Sequence, residues 1–312
     1  MSWQPNAPQA NRVARADLYR EIREFFQARN FIEVDPPLLG RAAATDPHLH
    51  SLATTVNDSP HYLQTSPEFF MKRLLAAGSG PIYSIGKSFR AAEQGRYHNV
   101  EFTLLEWYQP GFDDQALMTQ VGELLQKILG LDTERRSYRD VFLEFTGLNP
   151  HTADRQTLAD FSRDQLQATW DDTDKDTYLE AIFSHYIQPQ LENAVCIYDY
   201  PANQAALARL GSNDEGEQVA KRFEVFAQGV ELGNGYWELC DAKEQQRRFI
   251  ADQQRRQTLN LAPMPHDEKL IAAMVAGLPD CAGIAMGLDR LLMLKTGAKH
   301  IDEVLDFPAH LV

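Results

Sequence analysis

The sequence predicts an α+β fold in which a mainly antiparallel sheet is flanked by helices. The β-rich runs come in neighbouring pairs joined by polar, turn-rich segments, which is the arrangement of hairpins. Helical patterns lie between and after these pairs, so strands and helices do not alternate one by one as in a doubly wound sheet. With 44% hydrophobic and 24% charged residues, the chain has the composition of a globular protein with a large core.

The N-terminal third supplies one helix and one hairpin. Apolar residues at helical spacing predict a helix over 12–29, followed by an extended segment, 31–37, that ends in two prolines. Two β-rich runs, 81–90 and 99–109, are joined by the polar segment AAEQGRYH. They predict a hairpin with a long, charged tip.

The middle of the chain is less regular. Asp113 or Asp114 is suited to cap a helix that ends near Gly130. From about 131 to 192 the pattern loosens into helical fragments and an acidic stretch, which we interpret as a peripheral insertion with a solvated face.

The C-terminal part returns to paired strands followed by helices. Strand patterns cover 194–200 and 222–239, and polar helices are predicted over about 242–259 and 266–277. Residues 283–297 then read as a strand that runs directly into a helix.

Charge and cysteine content exclude several classes of function. The chain carries 44 acidic and 30 basic residues, a net charge of −14, which opposes broad binding to a phosphate backbone. No apolar run approaches the ~18 residues of a membrane span, and the start has no signal-like stretch. We therefore expect a soluble cytoplasmic protein with no membrane partner. Cys196, Cys240 and Cys281 are widely separated, which favours buried thiols over disulfides or a zinc site.

The predicted hairpin carries the first chemical cluster. A period of two places four residues on one face of its second strand: Phe102, Leu104, Glu106 and Tyr108. The same rule groups four on the first strand: Ser84, Gly86, Ser88 and Arg90. If the two faces coincide, a guanidinium able to bind phosphate lies near an aromatic ring able to stack on a purine. For this pattern alone, an amphipathic hairpin with a surface arginine is the favoured interpretation.

The second cluster is Glu224, Glu231 and Glu238, spaced by seven residues among glycines. A four-residue connection over 226–229 would place Glu224 opposite Glu231, where facing like charges need a neutralising group. Mg²⁺ shared with a triphosphate would supply it. Three solvated glutamates at a strand edge remain an equally open alternative.

The third cluster is GIAMGLDRLLML at 283–294. Gly287 permits close backbone approach, Asp289 can support the first helical turn, and Arg290 projects from a helix start that favours an anion. Together the clusters require a polyphosphate, a divalent cation and a cationic small substrate. With Glu68 added, the carboxylates outnumber what a metal needs, so some are available to an amine.

Three segments in this order resemble the signature motifs of class II aminoacyl-tRNA synthetases, in the lysyl subgroup. They are FIEVDPPLL, GKSFRAAEQGRYHNVEFTLLEWY and GIAMGLDRLLML, and RFEVFAQGVELGNGYWEL is similar to the same subgroup. The resemblance runs from about residue 12 to the C-terminus and is weakest over 131–192. It implies one class II catalytic domain over 1–312, with the peripheral insertion at about 131–192.

Lysyl-tRNA synthetases carry an OB-fold anticodon-binding domain before this core, and here only about a dozen residues precede the first helix. This layout and the acidic charge resemble the paralogous elongation factor P lysine ligases. That resemblance implies ATP and Mg²⁺, (R)-β-lysine or lysine as substrate, elongation factor P as acceptor instead of tRNA, an aminoacyl-adenylate intermediate, and a homodimer built by the first motif. A minimal lysyl-tRNA synthetase and an inactive regulatory paralogue are the alternatives.

Site roles follow from the resemblance position by position. Arg90 and Arg290 are implied as catalytic residues on the α- and γ-phosphates, and Phe102 as the adenine platform. Further ATP contacts are implied for Glu93, His98, Asn99, Glu231 and Gly287. The metal is implied at Glu224 and Glu231. The substrate amino acid is implied at Ser66, Glu68, Glu106, Tyr108, Asn234, Glu238 and Ala285.

Two positions depart from the synthetase pattern. Ala92 stands where the lysyl enzymes have a glutamate that contacts adenine, and Glu93 follows one place later. Ala285 replaces a glycine of the third motif. Because one methyl group in a pocket floor is worth ~1–3 kcal/mol of discrimination, a substrate of altered backbone, such as a β-amino acid, is expected.

Overall fold

The computed structural model describes residues 3–91, 93–171 and 174–312. The chain forms two compact units. The terminal unit comprises Met1–Phe112 and Leu239–Val312, and the middle unit comprises Asp113–Glu238.

The elements are numbered in chain order. The strands are β1 (Ile32–Glu33), β2 (Leu39–Gly40), β3 (Ala53–Val56), β4 (Ser59–Leu63), β5 (Ile82–Phe89), β6 (Glu101–Pro110), β7 (Thr133–Ser137), β8 (Ala194–Pro201), β9 (Leu210–Ser212), β10 (Gln218–Ala227), β11 (Val230–Trp237) and β12 (Cys281–Gly287). The α-helices are α1 (Gln9–Gln27), α2 (Glu68–Ala76), α3 (Asp114–Leu129), α4 (Tyr138–Thr146), α5 (Arg155–Leu166), α6 (Lys175–Ile182), α7 (Ala242–Thr258), α8 (Glu268–Gly277) and α9 (Leu288–Thr296).

The terminal unit contains two sheets. The larger has the order β1, β5, β6, β12, in which β1 is parallel to β5 and the other neighbours are antiparallel. The smaller is an antiparallel sheet of β2, β4 and β3.

An aromatic core fixes which face of β6 is left for chemistry. The Phe26 ring of α1 stacks on Tyr83 at 4.4 Å between centroids and meets Trp107 at 5.4 Å. Because side chains alternate along a strand, the face of β6 opposite Trp107 carries Phe102 and Glu106.

The middle unit has a sheet in the order β11, β10, β8, β7, with β9 paired to β10. Its helix α3 is capped by Asp113, whose side chain accepts a hydrogen bond from the Ala116 amide, and it ends at Gly130 in the left-handed conformation. The core is rich in large side chains from the segment 131–192, among them Tyr138, Phe142 and Phe183.

The predicted α+β fold with a mainly antiparallel sheet is confirmed, and the predicted helices and strands are present with shifts of a few residues. The extended segment 31–37 is the main difference, since only Ile32–Glu33 is a strand there. Pro36 and Pro37 cannot donate backbone hydrogen bonds and stop the pairing. The single domain over 1–312 with a peripheral insertion stays a prediction.

No helix within the described ranges is long and apolar enough to cross a bilayer. Cys196 and Cys281 are buried thiols, and Cys240 is partly exposed.

Candidate active site

Three neighbouring strands of the terminal unit align the first cluster. In the strand register Ser84 and Ala285 both lie opposite Glu106, from β5 and from β12. Paired residues on neighbouring strands share a face, so these three side chains form one row. Ser88 likewise lies opposite Phe102, so the two hairpin faces coincide, which is the condition on which the sequence argument depends.

Glu106 is the buried carboxylate of this row, with 1% of its surface exposed. Its Oε2 accepts a hydrogen bond from Ser66 Oγ at 2.7 Å, and its Oε1 accepts one from the Tyr108 hydroxyl at 2.7 Å. Burial, assisted by the charge of Glu68, raises the pKa of Glu106 to about 7. Because the hydrogen bonds that Glu106 accepts from the described residues come from neutral hydroxyls, its charge is available to an external cation, as the predicted contact with a substrate amine requires.

Glu68 begins helix α2 beside this row. Its backbone N–H donates to Ser66 Oγ at 3.0 Å, and its Oε1 accepts a hydrogen bond from Lys72 Nζ at 2.6 Å. Lys72 is buried, with 1% of its surface exposed, and the motifs of the sequence do not include it. The available signal was a lysine four residues after a glutamate in a helix that, apart from the neighbouring Arg73, is otherwise apolar.

Arg90 follows β5 and faces the ring of Phe102, with the guanidinium carbon 5.1 Å from the ring centroid. Its Nη1 lies 3.4 Å from Glu93 Oε1, and among the described residues its buried Nε has no hydrogen-bond partner. A guanidinium with a spare buried donor beside an aromatic face suits a phosphate and a stacked base. Ala92 lies outside the described residues.

Arg290 and His98 lie together in the terminal unit. The Arg290 Nη2 is 2.7 Å from His98 Nε2, and its Nε donates to the Tyr97 carbonyl at 3.2 Å. The third-motif arginine is therefore anchored on the tip of the hairpin that carries Arg90.

Asp289 and Asn99 have supporting positions. Asp289 accepts hydrogen bonds from Arg15 at 2.6 Å and from the Thr103 amide at 2.7 Å, so it ties the start of α9 to α1 and β6. Asn99 donates to the Glu101 carbonyl at 2.7 Å and accepts from the Ala309 amide at 3.0 Å. The side-chain amide of Asn99 is thus hydrogen-bonded to backbone groups in this structure. The contacts of Asn99 and of Gly287 with ATP stay predictions.

The expectation that Glu224 lies opposite Glu231 is wrong. Gln228 and Gly229 form a two-residue turn with positive φ of 53° and 73°, and the register then shifts at a bulge between Val225 and Phe226. As a result Glu224 pairs with Asn234, and Glu231 pairs with Phe226. The two-residue turn matches the twist of the strands, and the bulge absorbs the extra residue.

Glu224 is held by two partners within the middle unit. It accepts hydrogen bonds from Arg222 and, at 2.8 Å, from the Tyr200 hydroxyl. Arg222 also donates to Asn234 Oδ1 at 3.1 Å. Burial raises the pKa of Glu224, the Arg222 charge opposes this, and the charge of Glu231 adds to it.

The residues of the middle unit fit the predicted magnesium ion. Glu224 and Glu231 are close enough for each charge to oppose the other, and carboxylate oxygens are the ligands that Mg²⁺ prefers. The described residues contain no cluster of three or more acidic, histidine or cysteine side chains able to hold a metal. Mg²⁺ therefore needs further oxygens here, which a triphosphate has. Glu238 belongs to the same unit and is fully buried, and its carbonyl accepts hydrogen bonds from Arg209.

Comparison with known proteins identifies the class. The family model described as tRNA synthetases class II (D, K and N) matches residues 2–311, so the chain belongs to this family of enzymes. The motif resemblance, and with it the class II fold, is confirmed.

Curated relatives narrow the comparison. Three of these relatives are each named elongation factor P–(R)-β-lysine ligase. The one from Hamiltonella defensa subsp. Acyrthosiphon pisum (strain 5AT) is 46% identical to this chain, over 98% of this chain and 97% of the relative. The relative in Vibrio cholerae serotype O1 is 46% identical, over 98% and 97%. The one in Yersinia pestis (strain Pestoides F) is 43% identical, over 99% and 98%. The predicted branch of the family, and an enzyme of the ligase type, are thereby confirmed.

Proposed function

We propose that this chain activates (R)-β-lysine or lysine with ATP and transfers it to a lysine side chain of elongation factor P. One observation carries the proposal. Within the described part of the chain the buried Glu106 carboxylate accepts its hydrogen bonds from hydroxyl groups, and it shares a face of β6 with Phe102, over which Arg90 lies. A site for an ammonium group and a site for a nucleotide phosphate thus follow one another along a single strand.

The first step joins the substrate carboxylate to AMP. A carboxylate oxygen attacks the α-phosphorus of ATP, the bond to the bridging oxygen breaks, and pyrophosphate leaves. Arg90 stabilises the charge that develops on the α-phosphate, and Arg290 holds the far end of the triphosphate. When a divalent ion is bound, Glu224 and Glu231 would hold it, and it would neutralise negative charge on the phosphates.

The second step forms an amide. The neutral amine of the acceptor lysine attacks the carbonyl carbon of the aminoacyl-adenylate, AMP leaves, and the amine loses one proton. Glu106 and Tyr108 hold the substrate amine during both steps, which keeps the carbonyl in place.

The acceptor is tested by intact-mass analysis of elongation factor P incubated with the protein, ATP, Mg²⁺ and either β-lysine or lysine. We expect a mass gain of one lysyl unit on the protein and no charging of bulk tRNA assayed in parallel. Charged tRNA with unmodified elongation factor P would identify a minimal synthetase instead.

The role of Arg90 is tested by Arg90→Ala. Losing one charge-stabilising donor is expected to slow lysine-dependent pyrophosphate exchange at least ~100-fold. Arg163→Ala, which removes an exposed arginine paired with Asp160 in the middle unit, is the matched control and should exchange normally. Near-normal exchange by Arg90→Ala would reject the assignment.

We also propose that the enzyme is a homodimer. The first motif exposes Ile32 and Leu38, with 54% and 43% of their surfaces accessible, and helix α1 exposes 52% of Val13. A second copy of the chain would cover these apolar side chains. Sedimentation equilibrium tests this, and Ile32→Asp should give monomers. The cytoplasmic location stays a prediction.

A further inference from the structure

Arg15 is a largely buried arginine of helix α1, outside the sequence motifs, with 20% of its side-chain surface exposed. One of its nitrogens, Nη2, donates to two acceptors, Asp289 Oδ1 at 2.6 Å and the Val304 carbonyl at 2.8 Å. Its other terminal nitrogen, Nη1, donates to the Tyr19 hydroxyl at 3.2 Å. A guanidinium with several directed, charge-assisted hydrogen bonds fixes the arrangement of the segments that it joins.

The first acceptor lies at the base of Arg290. Asp289 is buried, with 2% of its side-chain surface exposed, and it directly precedes Arg290 in the first turn of α9. A buried carboxylate needs an opposite charge, and Arg15 supplies it to Oδ1. The second oxygen of Asp289 accepts from the Thr103 amide at 2.7 Å. Arg15 therefore holds in place the helical turn from which Arg290 projects.

The second acceptor leads to the group that contacts the other end of the Arg290 side chain. Val304 closes a short 3₁₀ turn, Ile301–Val304, and the first amide of this turn donates to the Arg96 carbonyl at 2.9 Å. Arg96 belongs to the hairpin tip, and the next two residues of that tip contact the Arg290 guanidinium. Arg15 is thus connected to both supports of Arg290, the start of its helix and the hairpin tip.

We propose that Arg15 is a positioning residue for Arg290, the arginine that holds the far end of the triphosphate. Arg15 acts through Asp289 and Val304 and does not touch ATP. The inference rests on the proposed function, because that function assigns Arg290 to the γ-phosphate. Positioning matters here since a displacement of about 1 Å is enough to break a hydrogen bond between a guanidinium and a phosphate oxygen.

The test compares two nucleotides that differ by the γ-phosphate. Calorimetry with Mg²⁺ measures the binding of ATP and of ADP to the full-length protein, without an amino acid so that no adenylate forms. The ratio of ATP affinity to ADP affinity reports how strongly the γ-phosphate is held. Arg290→Ala should lower this ratio at least about tenfold, as for a lost charged hydrogen bond.

Arg15→Met should lower the same ratio at least about fivefold, because a misplaced guanidinium loses part of that interaction. The double variant Arg15→Met/Arg290→Ala should bind with the ratio of Arg290→Ala alone, to within about twofold, because residues that act through one another are not additive. This non-additivity is a result that a general loosening of the fold would not produce.

Arg12→Met is the matched control. Arg12 lies three residues earlier on α1 and also joins this helix to the C-terminal segment, through Asp306 at 2.7 Å. Its other hydrogen bonds among the described residues go to the Ala7 carbonyl and to Gln9. Because none of these groups precedes or contacts Arg290, Arg12→Met should keep the wild-type ratio.

Asp289→Asn is a second variant that keeps the inference testable if Arg15→Met does not fold. It leaves no unpaired buried carboxylate, and its amide has one acceptor atom where the carboxylate uses two. The ATP to ADP ratio should therefore fall in Asp289→Asn as well, and circular dichroism confirms that each variant is folded.

Two outcomes would overturn the inference. An unchanged ratio in Arg15→Met, whether or not both nucleotides bind more weakly, would make Arg15 a purely structural anchor of α1. A further fall in the ratio when Arg15→Met is added to Arg290→Ala would show that Arg15 acts on the nucleotide without Arg290. An unchanged ratio in Arg290→Ala would instead reject the proposed role of Arg290 itself, and the inference with it.

Discussion

Two buried carboxylates, Glu106 in the terminal unit and Glu224 in the middle unit, are stabilised in different ways. Glu106 receives hydrogen bonds from the hydroxyls of Ser66 and Tyr108, which carry no charge. Glu224 also accepts from a hydroxyl, that of Tyr200, but its other partner is the guanidinium of Arg222. Burial raises the pKa of both acids, and among the residues that the structure describes a cation contacts Glu224 directly but not Glu106.

The difference teaches what each site is prepared to bind. The charge of Glu106 is left to be neutralised by a bound ligand, and the ammonium group of a substrate can do this. Glu224 is balanced internally by Arg222, so a divalent ion must share or displace that arginine. Arg222 also holds Asn234, and binding at Glu224 is thereby linked to a residue predicted to contact the amino acid.

The largest expected effect comes from removing the internal cation. Arg222→Met leaves Glu224 without its counter-charge, and we expect a loss of about 3–4 kcal/mol in the free energy of unfolding, at the lower end of the range for broken buried pairs because both side chains are about 15% exposed. Urea denaturation measures this. The double variant Arg222→Met/Glu224→Gln should recover most of the loss. Equal losses in the two variants would show that packing of Arg222 on Tyr200, and not charge, is what matters.

The corresponding change in the terminal unit acts on binding. Glu106→Gln removes the carboxylate but keeps its shape, and we expect lysine affinity to fall about 30–100-fold, roughly 2–3 kcal/mol, as for a lost charged hydrogen bond. Calorimetry tests it. Tyr108→Phe, which removes one neutral donor from the same carboxylate, should cost only about tenfold. Unchanged lysine binding by Glu106→Gln would show that Glu106 does not bind the substrate amine, and the proposed difference between Glu106 and Glu224 would then be wrong.

The features of the Glu106 site that depend on a single strand or hairpin can be predicted from the local sequence. The alternation of side chains is enough to place Phe102 and Glu106 on one face of β6, and pairing within the hairpin then aligns that face with β5. The cap at Asp113 and the end at Gly130 are equally local.

The remaining features depend on tertiary packing. The two-residue turn at Gln228 and Gly229 separates Glu224 from Glu231, and the bulge after Val225 then sets Glu224 opposite Asn234. No composition rule places a bulge at one residue and not at the next. Lys72 was missed for a related reason. A lysine beside an arginine in a helix normally faces solvent, and only the folded structure shows that its ammonium is enclosed.

The raised pKa of Glu106 gives a smaller, pH-dependent effect. Because the ammonium group binds the ionised carboxylate and the pKa of Glu106 is about 7, lysine affinity should rise about tenfold between pH 6 and pH 8. Calorimetry at the two pH values measures it, and Glu106→Gln should remove most of the difference. The same rise in that variant would assign the titration to another group.

The smallest effect concerns His151, a partly buried histidine of the middle unit. Burial lowers its pKa, against the pull of Glu217, whose Oε2 is 3.9 Å away. Below the ordinary histidine value near 6.5 the unfolded chain binds more protons at this position than the folded one. Stability contributed by His151 therefore falls as pH falls through this value. The pH dependence of the Glu106 contribution has the opposite sign. Its folded pKa is raised, so the stability that it contributes falls as pH rises toward 7.

The variant His151→Gln should flatten the decline in the urea midpoint between pH 7.5 and pH 5.5. The variant His310→Gln, at an exposed histidine, should leave that decline unchanged. An unaltered decline in His151→Gln would assign the acid sensitivity to a carboxylate whose pKa is lowered in the folded protein, with Glu217, which accepts hydrogen bonds from Asn149 and Asn213, as the first group to examine.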